Sequence, residues 1–415
     1  MESLGGGVTI DTEIGKGITF MIWLPRSVHV TQLNTQLAGR PVEPAVHSAI
    51  GLSLNSQPLG KSIMHEIRLA YETDGEAIRQ FIDQHWRKDH VLSTSEELLD
   101  WQHLDRKRRR YNFVVGVERE TQALHGLLGF IPLSQFDPEI EFGRLCWMAI
   151  WKTHDAARGH GLGRRILTYL EDTVKPDIIS TIGASAMTLP MYEAKGYQTG
   201  MMAQYFILNP EITNFRLATT KGSGQPLASA VTHTADKMLE PASESDIISG
   251  AMDCFLVQKD PPRKSPAYLV NRYFRHPIYR YQSYRIQQGT LTTGVIVTRV
   301  CRHEESRAIR IVDFIGPSGA LCGLQDQWKQ LLKNVNAEYI DFYCAGIDEE
   351  DLLASGFIRR ETDGDTIIPN YFEPFSKETV EINYTTSAPK TETYRMVKGD
   401  SDQDRPNLLE IASHE

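Results

Sequence analysis

No run of about 18 or more apolar residues, the length that crosses a bilayer, occurs in the 415-residue chain, so no membrane partner is expected. The start is acidic and glycine-rich and lacks the charged and apolar regions of a secretory signal, which places the protein in the cytoplasm. Cysteine is scarce: Cys146, Cys254, Cys301, Cys322 and Cys344 are an odd count with no C-x-x-C pair and no histidines at zinc spacing. A disulfide framework and a structural metal are therefore not expected, and the five thiols are read as free and buried. An excess of basic residues is also missing, since the net charge is -9, which argues against nucleic acid as the partner.

What is present is an ordinary globular composition, 41% hydrophobic and 23% charged, in a chain long enough for two or three domains. The most informative stretch is Arg158-Gly159-His160-Gly161-Leu162-Gly163. It follows an apolar run, 145–151, and precedes a helical pattern over 164–174, so it reads as a glycine loop joining a strand to a helix. Glycines at alternate positions permit positive φ, and free amides at a helix start attract anions. A dinucleotide fingerprint is the weaker reading, because Arg164 stands where that motif wants a small residue.

About thirty residues later comes Leu189-Pro190-Met191-Tyr192-Glu193-Ala194-Lys195-Gly196-Tyr197. Together, the R-x-x-G-x-G loop and this Y-x-x-x-G-Y segment resemble the GNAT acyltransferase superfamily over about residues 66–208. The resemblance implies that Arg158, Gly159, His160, Gly161, Leu162, Gly163 and Arg164 bind the pyrophosphate of acetyl-CoA. It also implies that a backbone amide near Ile150, within 149–151, polarises the acyl carbonyl, and that Tyr192 donates a proton to the departing sulfur. Glu141, on the approach to the strand, and His154, just after it, are the nearest titratable side chains that could serve as general base. Tyr192 also reads as a core aromatic, and Glu141 and His154 as surface residues.

Residues 1–25 alternate in two short runs about Gly15-Lys16-Gly17, predicting a β-hairpin. They resemble the closing stretch of a sensor histidine kinase ATPase domain, without that family's upstream nucleotide boxes. Residues 26–64 have the composition of a linker. The acyltransferase-like domain is placed at 65–208. It should open with a strand over 66–71 and a helix capped by Thr73-Asp74-Gly75-Glu76. A further helix is expected over 95–107, with strands over 111–118, 124–132 and 144–152. The basic run Arg106-Lys107-Arg108-Arg109-Arg110 is taken as a solvated face.

A second connection is expected over 209–250 and a second domain over 251–407. The latter shows strands at 294–301, 307–315 and 339–344, helices at 321–334 and 349–354, and Gly356-Phe357. That order matches the first block, with Gly316-Pro317-Ser318-Gly319-Ala320 in place of the phosphate loop. Pro317 lacks an amide, so a degenerate copy completing the cleft or a homodimer face is expected. The fold class is accordingly α/β (α+β), with two GNAT-like mixed-sheet domains and flanking helices. Near the end, Asp400, Asp402 and Asp404 alternate within a segment that resembles the ending of tandem GNAT-like proteins from cell-surface polysaccharide genes. A Ca²⁺ loop would need a glycine and a glutamate that are absent, and a solvated acidic turn is expected.

The resulting expectation is an N-acetyltransferase moving an acetyl group from acetyl-CoA to a small-molecule primary amine, such as an amino sugar for cell-surface polysaccharide. The competing readings are a non-catalytic acyl-CoA-binding scaffold and a remnant of a signalling ATPase.

Overall fold

Strands β1 (Gly7–Glu13) and β2 (Gly17–Trp23) pair antiparallel, Gly7 opposite Trp23, which is the hairpin expected from the alternation. They belong to a unit of their own, 1–61; residues 62–415 form the other compact unit. The structure, a computed structural model, describes residues 7–13, 17–23, 64–157, 159–220, 237–250, 252–362, 364–391 and 393–409. The linker expected over 26–64 lies outside these apart from Met64.

In the larger unit the chain runs through β3 (His65–Leu69), α1 (Gly75–Phe81), α2 (Glu96–His103), β4 (Phe113–Glu118), β5 (Leu124–Pro132), β6 (Leu145–Thr153), α3 (Leu162–Val174), β7 (Ile178–Ile182), α4 (Leu189–Ala194), β8 (Gln198–Met201) and β9 (Ala203–Leu208). It continues through β10 (Lys237–Ala242), β11 (Tyr281–Gln288), β12 (Leu291–His303), β13 (Ser306–Ile315), α5 (Gln325–Val335), β14 (Tyr339–Ala345), α6 (Glu349–Ala354), β15 (Ile358–Arg359), β16 (Asn383–Thr386) and β17 (Met396–Val397). Helices and mixed sheets together give the expected α/β class.

Two large sheets organise the unit. In the first the order is β8-β16-β7-β6-β5-β4-β3, and in the second β10-β11-β12-β13-β14-β9-β15. Each is antiparallel except for one adjacent parallel pair, β6 with β7 and β13 with β14. The sheets exchange strands. β16 pairs β7 and β8 in the first sheet, although it lies late in the chain. β9, which lies within the block 65–208 placed as the first domain, is hydrogen-bonded between β14 and β15 in the second. The crossing occurs at buried Met202, whose N–H donates to Ile382 O at 2.9 Å. Within 209–250, where a connection was expected, β10 forms an edge of the second sheet.

The helix that matters for function, α3, is seated by its sequence. Leu162, Ile166, Leu167 and Leu170 recur at helical spacing and are fully buried. Opposite them are Gly116 of β4 and Gly126 of β5, where an added Cβ would meet Leu162 and Ile166 at 2.9 Å. The missing side chains let the helix start lie close on the sheet. Each buried leucine or isoleucine contributes roughly 1.5–3 kcal/mol, so this packing fixes where the preceding loop ends.

Local signals were translated with small changes. The capping box predicted over Thr73–Glu76 is made two residues earlier, over Tyr71–Asp74: the Asp74 carboxylate accepts from Tyr71 N–H at 2.6 Å and from Arg68. Arg68 offers that carboxylate a charged partner which Thr73 cannot match. Ser95 caps α2 as expected, accepting from Leu98 N–H at 3.2 Å. All five cysteines are free, four of them buried.

The acidic ending departs from expectation. Asp400, Asp402 and Asp404 are buried, not solvated. Lys264 holds Asp400 at 2.7 Å, Arg405 holds Asp402 at 3.0 Å, and the Arg299 fork grips Asp404 at 3.0 and 3.2 Å. Burial alone would raise the Asp404 pKa, but the Arg299 charge and its hydrogen bonds override this and hold it below the usual carboxylate range. Cations from distant parts of the chain thus carry an acidic string into the interior.

Candidate active site

Strands β6 and β7 run parallel from Leu145 opposite Ile178 to Met148 opposite Thr181, and there the ladder ends. On its other edge β6 carries a bulge: Leu128 faces Trp151 and Phe130 faces Met148, so Ala149 and Ile150 both stand opposite Gly129. The packing shows the phase shift. Cys146, Met148 and Trp151 pack with α3, whereas Trp147, Ala149 and Ile150 pack on the opposite face. Two consecutive residues on one face are the mark of a bulge. Beyond Met148 the parallel pairing is not continued, leaving a gap in the ladder, here called the slot, with backbone from 149–151 on its β6 side.

Above the slot, β6 leads into the glycine loop. Gly161 caps α3 at φ 67° and Gly159 sits at φ 81°, conformations that favour glycine. Nothing lies within 4 Å of a Cβ built on either, so the loop is open to a ligand. Arg165 N–H is held by Gly161 O at 3.1 Å. The amides of Leu162, Gly163 and Arg164 precede it in the first turn, where a helix offers no backbone acceptor. His160 and Arg164 are exposed, and a Cβ added at Gly163 would meet the Trp151 indole at 3.6 Å. Arg158 lies outside the described residues.

Tyr192, on α4, is buried on the α3 face of the sheet. Its hydroxyl lies 3.8 Å from Met148 Sδ, and its ring packs against Trp151 and Tyr197. Burial, with Glu171 nearby, raises its pKa, so it keeps its proton at neutral pH. Loop, bulge and Tyr192 thus gather about the same few residues of β6.

The two candidate bases do not join them. Glu141 is exposed beyond the opposite end of β6, roughly 30 Å along the strand from the loop at ~3.3 Å per residue. It borders a groove of about 1070 Å³ with Arg106, Lys107 and Arg108. The basic run is neutralised there, Arg106 by Asp100, Arg108 by Asp105 and Arg109 by Glu72. His154 is at the loop end of β6, in a row of histidines that spacing in the sequence did not show. His125 Nδ1 lies 3.0 Å from His65 Nε2, His125 stacks on His154, and His154 meets His85 edge-on at 4.5 Å. Burial, then neighbouring histidines, lowers the pKa of His65, His85 and His125. His154 Nδ1 is occupied by Ala156 N–H at 3.0 Å. Among the described residues no group of three or more His, Cys, Asp or Glu is arranged to hold a metal ion, and no helix is long and apolar enough to cross a membrane.

On the face away from α3 lies a cavity of about 460 Å³, bordered by Ala149, Ile150, Thr181, Gly183, Asp402 and Arg405. Asp402 and Gln403 line it, and Ser401 and Gln403 bond to its two walls. Ser401 Oγ donates to Met148 O at 2.9 Å, and Gln403 Nε2 to Ile182 O at 2.8 Å.

The second sheet repeats the opening without the loop. β13 pairs β14 in parallel up to Ile311 opposite Phe342, and its bulge falls at Val312, between Ile311 and Asp313. There the gap is filled by the chain: Met396 and Val397 pair Ala345 and Cys344, and Gly399 N–H donates to Val312 O at 2.8 Å. Asp313, just past the bulge, is buried in a cluster with Lys264, Asp400 and the Tyr273 hydroxyl. The loop carbonyls of Gly319, Ala320 and Cys322 accept from Lys237 Nζ, and Pro317 offers no amide.

No family model matches the chain, and neither does any curated protein. Among solved structures it is similar to a GCN5-related N-acetyltransferase from Anabaena variabilis, with TM-score 0.48 and 15% identity over 78% of this chain and 72% of that one. It is also similar to a GCN5-related N-acetyltransferase from Kribbella flavida, with TM-score 0.45 and 12% identity over 78% and 71%. Saccharomyces cerevisiae N-myristoyltransferase, solved with myristoyl-CoA and inhibitors, follows with TM-score 0.41 and 11% identity over 85% and 87%.

Proposed function

We propose that the protein transfers an acyl group, acetyl in the simplest case, from acyl-CoA to a primary amine at the slot between β6 and β7. The observation that carries this is the slot itself. A helix start with free amides lies on one face of the sheet and a polar cavity on the other, an arrangement that would let two substrates meet at this gap from opposite faces. The pyrophosphate would sit on the amides of 161–164, where helix dipole and free N–H groups favour negative charge. The pantetheine arm would then enter the slot, and a backbone N–H of 149–151, freed from the ladder, would polarise the thioester carbonyl.

In the reaction the acceptor nitrogen, once deprotonated, attacks the carbonyl carbon. The C–N bond forms, the C–S bond breaks, and the thiolate leaves. Tyr192, protonated and beside Met148, gives its proton to the sulfur and recovers one from the nitrogen of the collapsing intermediate. Only the first slot is assigned this work, because the second is filled by β17 and the Lys264, Asp313 and Asp400 cluster. Its role is that of a degenerate partner that supplies one wall of the cavity through residues 401–407. A cytoplasmic setting agrees with five free cysteines.

Thiol release from acetyl-CoA, followed with a panel of primary amines that includes nucleotide-linked amino sugars, tests this reading. Release that depends on the amine and yields the N-acetyl product is the expected result. Acetyl-CoA that binds but is not turned over by any amine would favour a binding scaffold.

A further inference from the structure

The acyltransferase reading leaves the acceptor's proton without a destination, because neither Glu141 nor His154 borders the cavity behind the slot. An alkyl amine is an ammonium ion at neutral pH and cannot attack until it loses a proton. Among the residues bordering that cavity, Asp402 is the one carboxylate, and no histidine is present. We infer that Asp402 is the general base and the ammonium-binding group of the acceptor site, delivered to the first sheet by the segment that has just closed the second. The assignment rests on the acyltransferase reading.

The hydrogen bonds leave one carboxylate oxygen for this work. Asp402 Oδ2 accepts from Arg405 Nη2 at 3.0 Å. Oδ1 has the Ser401 hydroxyl 3.5 Å away, but that hydroxyl has one proton and spends it on Met148 O at 2.9 Å. Oδ1 is therefore free to receive an N–H from the cavity. Ser401, at φ 57°, is fastened to the last paired residue of β6, so the carboxylate is held beside the bulge that would polarise the acyl carbonyl. Arg405 is anchored in turn, with Nη1 2.9 Å from His90 Nε2 and 3.2 Å from Asn407 Oδ1. Arg405 is accordingly a positioning residue that acts by fixing the carboxylate.

The proton count closes. The ammonium gives one proton to Asp402, which passes it to solvent through the cavity mouth. The neutral amine forms the C–N bond as the C–S bond breaks, and the second nitrogen-bound proton ends on the sulfur. The products are the amide, free CoA thiol and one released proton.

Two small acceptors separate this role from a structural one. Ethylamine must be deprotonated before it attacks, whereas hydroxylamine is already neutral at pH 7. In Asp402→Asn, kcat/KM for ethylamine should fall at least about tenfold, the low end for loss of one acid-base group. Hydroxylamine acetylation and acetyl-CoA affinity should change by less than about twofold. Asp402→Glu, which keeps the carboxylate and the Arg405 pair, should recover part of the ethylamine rate and guards against a variant that fails to fold. Equal losses with both amines, or an unchanged ethylamine rate, would overturn the assignment while leaving the acyltransferase reading in place. Wild-type protein that acetylates neither of these amines nor any amine of the wider panel would remove both readings.

Discussion

Gly161→Val should weaken acetyl-CoA binding by about tenfold to a hundredfold in calorimetry while leaving the fold intact. The residue caps α3 at φ 67°, and a β-branched side chain forced into that conformation costs about 1–3 kcal/mol. Nothing lies within 4 Å of the position a Cβ would take, so the substitution creates no clash in the free protein. Its cost comes from the backbone. Either the loop turns its amides away from the phosphate, or the binding free energy is spent restoring them. The added methyl groups would also project into the open space that a pyrophosphate needs. Unchanged affinity would mean that the loop is a turn without a ligand.

Tyr192→Phe should lower kcat by about a hundredfold, within the usual range for one acid-base group, with acetyl-CoA affinity nearly unchanged. The substitution is chemically clean. Phenylalanine keeps the ring packed against Trp151 and Tyr197, and the hydroxyl it removes has a thioether sulfur, 3.8 Å away, as its polar neighbour, so stability should barely move. A wild-type kcat across the pH range, with the chemical step shown to be rate-limiting, would make Tyr192 a packing residue and assign the thiol proton to solvent.

The parts of this site that were legible in the sequence are the local ones. The loop, the helix behind it and the strand Leu124–Pro132 follow from glycine spacing, from leucines at 162, 167 and 170, and from an apolar run broken only by His125, each decided within a dozen residues. What was not legible depends on partners far along the chain. Asp400 and Asp404 look like part of a solvated turn because Lys264, Arg299 and Arg310, whose charges act on them, lie at least 90 residues away in sequence, whereas Asp402 pairs with Arg405 three residues on.

Strand exchange was hidden for a related reason: nothing within the short apolar run Ala203–Leu208 says which sheet receives it. Asn383–Thr386, four residues long, is too short for any period to declare. The row of His65, His85, His125 and His154 is assembled from three strand ends and a helix end, and no linear spacing records it. The missing base has the same origin. Asp402 reaches the slot only because the chain closes the second sheet with Met396–Val397 and then crosses to the first.

The central claim is that acyl-CoA occupies the first loop and slot and leaves the second alone, and hydrogen–deuterium exchange with and without acetyl-CoA tests it most directly. Amides in the first turn of a helix have no internal partner and exchange readily, so a ligand that binds them leaves a measurable mark. The account predicts slowed exchange over 159–165 and at 149–151, with no change over 316–322. Protection confined to 316–322, or no protection at either loop under saturating acetyl-CoA, would contradict it.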